Sequence, residues 1–194
     1  MAFNLHPESK IVHDGVRATV RAIDLPKRGG GVHRREVVEA ADAVVILPWI
    51  ADGFVEGFDF PGAGVVLIRN ERFAVNETLW ELPAGTIEPG ESPDDCAPRE
   101  LIEETGYAAE RVTKLAEFFP TPGFCTELLH AYRAEGLTFV GQDLDETEKI
   151  TAQAVAWNEA MKMVRDNVIR DGKTIATLLH HQSFGGTNDD EGQG

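Results

Sequence analysis

Apolar and polar residues alternate through Val16-Arg17-Ala18-Thr19-Val20-Arg21-Ala22, inside a segment from Ile11 to Leu25 that reads as extended chain. Lys27-Arg28-Gly29-Gly30-Gly31 predicts a turn, and a second extended run follows from Arg35 to Glu39. Ala43-Val44-Val45-Ile46-Leu47-Pro48 and Gly64-Val65-Val66-Leu67-Ile68-Arg69 are short β-branched runs of the kind that form buried strands. Further strands are predicted at Leu115–Phe119, Glu127–Ala134 and Ile150–Trp157. Apolar residues at Ala160, Met163, Val164 and Val168 predict a helix over 158–171, and a last helix spans Thr174–His181. One more helix is announced by Ser92-Pro93, an N-cap followed by a first-turn proline. Pro98 lies in its second turn and pushes against the Asp94 carbonyl, so a kink or a late start is expected. The pattern is that of a mixed α+β chain ending in a polar tail, 185–194, expected to be disordered.

Composition narrows the function classes. The chain has 194 residues, room for one domain with a substantial core. Its net charge of -15, from 33 acidic and 18 basic residues, argues against nucleic acid or an anionic membrane as a main partner. Two cysteines, Cys96 and Cys125, are too few for a disulfide scaffold and lack metal-ligand spacing. No apolar run approaches membrane-spanning length and the N-terminus lacks an apolar signal segment, so a cytoplasmic location is expected.

The candidate chemistry sits between Gly85 and Tyr107. Glu100, Glu103 and Glu104 are spaced so that a helix places them on one face. Carboxylates about 5 Å apart repel by roughly 3 kcal/mol per pair at an effective dielectric near 20. Such a cluster is solvated, protonated or bound to a hard cation, and oxygen donors suit Mg²⁺ or Mn²⁺ better than Zn²⁺. The three glutamates alone fit a solvated helix face more readily than a metal site. The wider spacing changes the balance: Gly85, Glu91, Arg99-Glu100-Leu101, Glu103-Glu104 and Gly106-Tyr107 match the pattern G-x5-E-x7-R-E-U-x-E-E-x-G-U at every identity-fixed position. That pattern is the signature of the Nudix hydrolases, which the chain therefore resembles. Tyr107 departs mildly from the usual aliphatic residue, and Pro98 departs more.

Outside the signature, three features resemble the ADP-ribose pyrophosphatase subfamily. Leu82-Pro83-Ala84-Gly85 is similar to its Glu-x-Pro-Ala-Gly entry, Thr121-Pro122-Gly123 to its proline loop, and Asp145-Glu146-Thr147-Glu148 to its acidic loop. Asp171-Gly172-Lys173-Thr174-Ile175 is similar to the subfamily's final helix. The resemblance implies a Nudix α/β/α sandwich with a mixed sheet over 43–184, preceded by an antiparallel β extension, 1–42, that swaps between two protomers and completes the pocket. It implies a homodimer. It also implies metal-dependent hydrolysis of the pyrophosphate bond of ADP-ribose or a related nucleoside diphosphate sugar, giving a nucleoside monophosphate and a sugar phosphate. Glu100 and Glu104, with Glu103, the Ala84 carbonyl and Glu148, are implied as ligands of Mg²⁺, with Mn²⁺ as substitute. Glu146 is the implied general base and Glu103 the second candidate. Glu91 and Arg99 are expected to pair and fix the loop against the helix, with Gly85 and Gly106 shaping the backbone. Arg72, Pro122, Gly123 and Glu127 are implied substrate contacts, while Phe119 and Phe124 either flank the base or sugar or pack in the core.

Other readings stay open. GDP-mannose or a nucleoside triphosphate could be the substrate, and a non-catalytic nucleotide-sugar-binding regulator is a different class. Gly-Lys-Thr at 172–174 is rejected as a phosphate loop, because Asn167 stands where its first glycine belongs and no strand precedes it. Gly62-Ala63-Gly64 is too short for a dinucleotide fingerprint. His180-His181 reads as a solvated helix end, and Cys125 as an ordinary small buried side chain.

Overall fold

The alternating N-terminal segments become three strands, β1 (Lys10–Asp14), β2 (Thr19–Pro26) and β3 (Val32–Glu39), in one antiparallel sheet of order β1-β2-β3. The segment Ile11–Leu25 divides between the first two. The computed structural model describes residues 8–15, 18–51, 54–55, 58–59, 61–144 and 149–185; the tail from 186 onward lies outside them. Two units emerge, Met1–Asp42 with Phe118–Leu128, and Ala43–Glu117 with Leu129–Gly194. In the first, β2 and β3 pair from Thr19↔Glu39 to Pro26↔Val32, and Arg21 Nε meets Glu39 at 2.6 Å across the ladder. The segment after residue 118 returns to β3: the Val38 amide donates to the Phe124 carbonyl at 2.7 Å and the Thr126 amide to the Val38 carbonyl at 3.0 Å. Phe119 and Phe124 are 42% and 55% exposed, which removes core packing as their role. Cys125 is half-buried rather than buried.

The second unit is built on β4 (Ala43–Ile50), whose run of apolar side chains is buried on both faces. Two-residue strands β5 (Phe54–Val55) and β6 (Phe58–Asp59) pair in the loop that follows. Next come β7 (Gly64–Arg72), β8 (Glu77–Glu81), β9 (Ala84–Thr86), α1 (Pro93–Thr105), β10 (Tyr107–Phe118), β11 (Leu129–Phe139), β12 (Ile150–Ala156), α2 (Trp157–Arg165) and α3 (Gly172–Phe184). The main sheet runs β10-β11-β4-β7-β12, with β8 on β7 and β9 on β4. It is mixed: β11 is parallel to β4, while β7, β8, β9 and β12 join by antiparallel pairs.

Strand alternation makes the layers. Val44 and Ile46 pack with Cys96, Ala97 and Leu101 of α1 and with Tyr132 and Ala134 of β11. Trp49, odd-numbered and therefore on the other face, stacks edge-on with His181 of α3 at 4.6 Å. Helices thus cover both faces of the sheet. Among the described residues, no helix is long and apolar enough to cross a membrane.

Several boundaries differ from the pattern-based expectation. The helix expected over 158–171 stops at Arg165, and Asn167 takes a positive φ of 60°, which an α-helix does not accommodate. The signature helix does not start late: Ser92 caps it and it begins at Pro93. His181 is not a solvated helix end. It is 7% exposed, packs edge-on against both Trp49 and Trp157, and its Nδ1 has no hydrogen-bond partner among the described residues.

Burial, and then Arg133 and His180, push the His181 imidazole down to about 4, against an opposing effect of Glu135. A folded-state value below the unfolded 6.5 means that the unfolded chain binds the proton first, so stability present above pH 6.5 is lost as pH falls toward 4. The loss is up to about 3 kcal/mol. Urea unfolding from pH 7 to 4 should show this fall in the wild type and a flatter profile in His181→Phe; parallel profiles would contradict it.

Candidate active site

The helix carrying the acids is set by its ends and its buried side. Ser92 Oγ accepts from the Asp95 amide at 3.2 Å, and Pro93 occupies the first turn, where a missing N–H is harmless. At the other end Gly106 takes the left-handed conformation, φ 78°, and its amide donates to the Ile102 carbonyl at 2.8 Å. Between them Cys96, Ala97 and Leu101 are buried against β4 and β11, and Leu101 alone is worth about 1.5–3 kcal/mol of apolar burial. That seating turns the remaining face toward β9.

Gly85 permits the approach. A Cβ there would stand 1.8 Å from Cδ of Glu100, so the carboxylate occupies the space that any other side chain would fill. One residue away, the Ala84 amide donates to Glu104 Oε2 at 2.8 Å, and Glu104 is only 4% exposed. Arg99 gathers the rest. Its Nε and Nη2 grip both oxygens of Glu91 at 2.8 and 3.0 Å, and its Nη1 donates to Glu100 and to Glu103, each at 2.8 Å. Nη2 also reaches the Thr86 carbonyl at 3.4 Å. The guanidinium and then the Glu88 amide hold the Glu91 carboxyl at about 2, far below the usual range. Burial, followed by Glu100 and Glu91, pushes the Cys96 thiol up to about 12, so it stays protonated.

A second charged assembly stands on β7, β8 and the start of α3. Arg72 makes a two-pronged pair with Glu81 at 2.8 and 2.7 Å, and Lys173 bonds the same carboxylate and Asp171. Glu81 is fully buried; burial pushes its carboxyl up, but Arg72 and Lys173 outweigh this and hold it below the ordinary value. The Arg72 guanidinium also lies within the field of Glu104. Asp171 caps α3 through the Thr174 amide at 2.9 Å, and Thr174 Oγ1 accepts from the Leu82 amide at 2.8 Å. The rejected Gly-Lys-Thr is thus a helix cap and an ion pair.

Ala84, Gly85, Glu91, Arg99, Glu100, Glu103 and Glu104 are brought together, with Gly106 closing the helix. Pro122, Gly123 and Glu127 belong to the first unit, where Thr121 turns the chain by accepting from the Phe124 and Cys125 amides at 3.2 and 3.0 Å. Glu146 and Glu148 lie outside the described residues. Glu81 and Lys173 were not singled out from the sequence. The available signal was a charge inside the apolar run Trp80-Glu81-Leu82, which burial obliges to find a partner.

A NUDIX domain model matches residues 51–178. The chain is 33% identical over 165 residues to an ADP-ribose pyrophosphatase of Bacillus subtilis (strain 168), covering 84% of this chain and 83% of that protein. The chain belongs to the NUDIX family. A GDP-mannose pyrophosphatase of Salmonella typhimurium is also 33% identical, over 190 residues and 91% of this chain and 93% of its own length. A methanol dehydrogenase activator of Bacillus methanolicus is 31% identical over 169 residues, 86% of this chain and 85% of its own. The solved structure of an ADP compounds hydrolase shares the fold, with a TM-score of 0.75 at 23% identity over 91% of both chains.

The NUDIX helix carries carboxylate oxygens, donors suited to a hard divalent cation, and Gly85 of β9 keeps space for one of them, Glu100. Among the described residues no three such side chains stand at metal-sharing distance; Arg99 holds Glu100 and Glu103, and the Ala84 amide holds Glu104. Gly85→Ala should force Glu100 aside and weaken divalent-cation binding by about 10- to 100-fold in calorimetry, with the far-UV circular dichroism unchanged. Unaltered affinity would show that the close approach is unimportant.

Proposed function

We propose that this protein hydrolyses the pyrophosphate bond of ADP-ribose or a related nucleoside diphosphate sugar, releasing a nucleoside monophosphate and a sugar phosphate. The observation that carries this reading is the Glu100 carboxylate lodged against Gly85 beside the buried Glu104, on a helix that matches the NUDIX signature at every identity-fixed position. Relatives named for ADP-ribose and GDP-mannose pyrophosphatase activity support the substrate class.

Glu100 and Glu104, with Glu103, the Ala84 carbonyl and Glu148, would hold Mg²⁺, or Mn²⁺ in its place. A divalent cation bound there would offset charge on the diphosphate and make an attacking water more acidic. Arg99 keeps Glu100 and Glu103 from repelling one another before substrate arrives. Arg72, aimed by Glu81, supplies positive charge for a phosphate oxygen. Glu146 takes the proton of the attacking water, with Glu103 as the second candidate. Pro122, Gly123 and Glu127 contribute to recognition of the sugar or base.

The N-terminal extension, residues 1–42, is proposed to join two copies of the chain. Its sheet leaves Ile11, Val12 and Val32 more than half exposed, at 53%, 53% and 59%. The 43–184 segment then carries the chemistry, in the cytoplasm.

A panel of nucleoside diphosphate sugars with Mg²⁺ and Mn²⁺, read by product mass, should give AMP and ribose phosphate from ADP-ribose or the matching pair from another member. Silence across the panel would overturn the hydrolytic reading and leave a binding protein. Glu104→Gln should keep its fold and lose roughly 100- to 1000-fold or more in kcat. Light scattering at micromolar concentration should give twice the chain mass; a monomer would remove the dimer.

A further inference from the structure

The last turn of α1 ends on carbonyls that the helix cannot satisfy itself. Ile102 O receives the Gly106 amide, but beyond Gly106 the chain leaves as β10, and the carbonyls of Glu103 and Glu104 have no amide four residues ahead on the helix. Both are met by a segment nearly forty positions later, between β11 and β12. The Gln142 side chain donates from Nε2 to the Glu104 carbonyl at 2.6 Å, and the Asp143 amide donates to the Glu103 carbonyl at 3.3 Å. The Val140 and Gly141 amides close on the Gly106 carbonyl at 2.7 and 3.1 Å. Gly106 allows this contact in two ways. It accepts a positive φ, and a Cβ there would fall 2.7 Å from the Phe139 ring and 3.0 Å from the Gln142 amide nitrogen. Gly141, at φ 101°, makes the bend that returns the chain to the helix end.

The two residues whose carbonyls are clamped are the two adjacent glutamates of the acidic face. We infer that Gln142 is a positioning residue for the cation-holding carboxylates: by bonding the Glu104 backbone it fixes the rotation of the last turn, and so where the Glu103 and Glu104 side chains begin. The Glu104 carboxylate is meanwhile held from the other side by the Ala84 amide. Backbone and side chain of one residue are thus pinned by separate elements, 142 behind and 84 in front. This rests on the reading of Glu104 as a cation ligand.

The test uses the full-length protein and three variants: Gln142→Ala, Gln142→Asn, whose amide is one methylene short, and Gln142→Glu, which when ionised offers no donor. Mg²⁺ binding is measured calorimetrically without substrate, alongside the Mg²⁺ midpoint of turnover and the thermal midpoint without metal. Affinity should fall about tenfold, the turnover midpoint should move by the same factor, and kcat at saturating Mg²⁺ should recover. A lower thermal midpoint with unchanged Mg²⁺ affinity in the variants that fold would make the clamp merely structural and overturn the inference. A wild type that neither binds Mg²⁺ nor hydrolyses any substrate would overturn the hydrolytic reading, and this one with it. An active wild type with indifferent variants would overturn only this one.

Discussion

Like charges crowded onto one helix face are the constraint around which this molecule is arranged. Glu100, Glu103 and Glu104 lie within five positions of a chain that already carries a net charge of -15. At roughly 3 kcal/mol for each close pair, their mutual repulsion would rival the stabilisation from burying a large apolar side chain. The structure answers with one guanidinium and one amide. Arg99 donates to Glu100 and Glu103 from a single nitrogen, and its other edge holds Glu91, so the loop before the helix closes on the same charge that eases the repulsion along the helix. The Ala84 amide takes Glu104. Carboxylates gathered in this way by a single guanidinium are oxygen donors of the kind a hard divalent cation takes, and its double charge would balance them better than one arginine does.

The second charged assembly obeys a different rule. Glu81 is buried with Arg72 and Lys173 on it, and Asp171 balances Lys173, so the four groups sum to no net charge. Removing one member of such a set strands a charge in a low dielectric, at a cost of several kcal/mol, which makes it an anchor. It ties β7 and β8 to the start of α3, and the Thr174 hydroxyl ties the same helix to Leu82, two residues before Ala84. The acidic face and the buried anchor therefore share the short stretch from Glu81 to Gly85.

The signature spacing made most of the acidic face legible in the sequence, because helical periodicity alone puts residues three and four apart on one side. The strands of the main sheet were legible for a similar reason: a run such as Val44 to Leu47 has no polar position to expose. What stayed hidden depends on contacts distant in sequence. Glu81 shows in the sequence only as a charge within an apolar run, and its partner Lys173 lies far along the chain. His181 reads as a helix end until Trp49 and Trp157 enclose it. The end of α2 was hidden because apolar spacing continued through Val168 while Asn167 left the helical region. Phe119 and Phe124 show the reverse, apolar side chains that the pattern would bury and the fold leaves exposed.

Pro98 shows how far packing overrides local preference in the one helix that matters most. Proline inside a helix costs about 3 kcal/mol, through a lost bond to the carbonyl four residues back and a clash with it. Here that carbonyl belongs to Asp94, in the first turn, so the damage stays at the N-terminal end and the turn bearing Glu100 to Glu104 keeps its own ladder. Against this stand the Ser92 cap, worth about 1 kcal/mol, the buried Leu101, and the Asp94 side chain, which accepts from the Tyr132 hydroxyl at 2.6 Å. The far end is held by bonds from outside the helix. A thirteen-residue segment with an internal proline would not be helical alone. Its conformation is imposed by β4, β11 and the two flanking loops, so the geometry of the acids is a property of the whole unit.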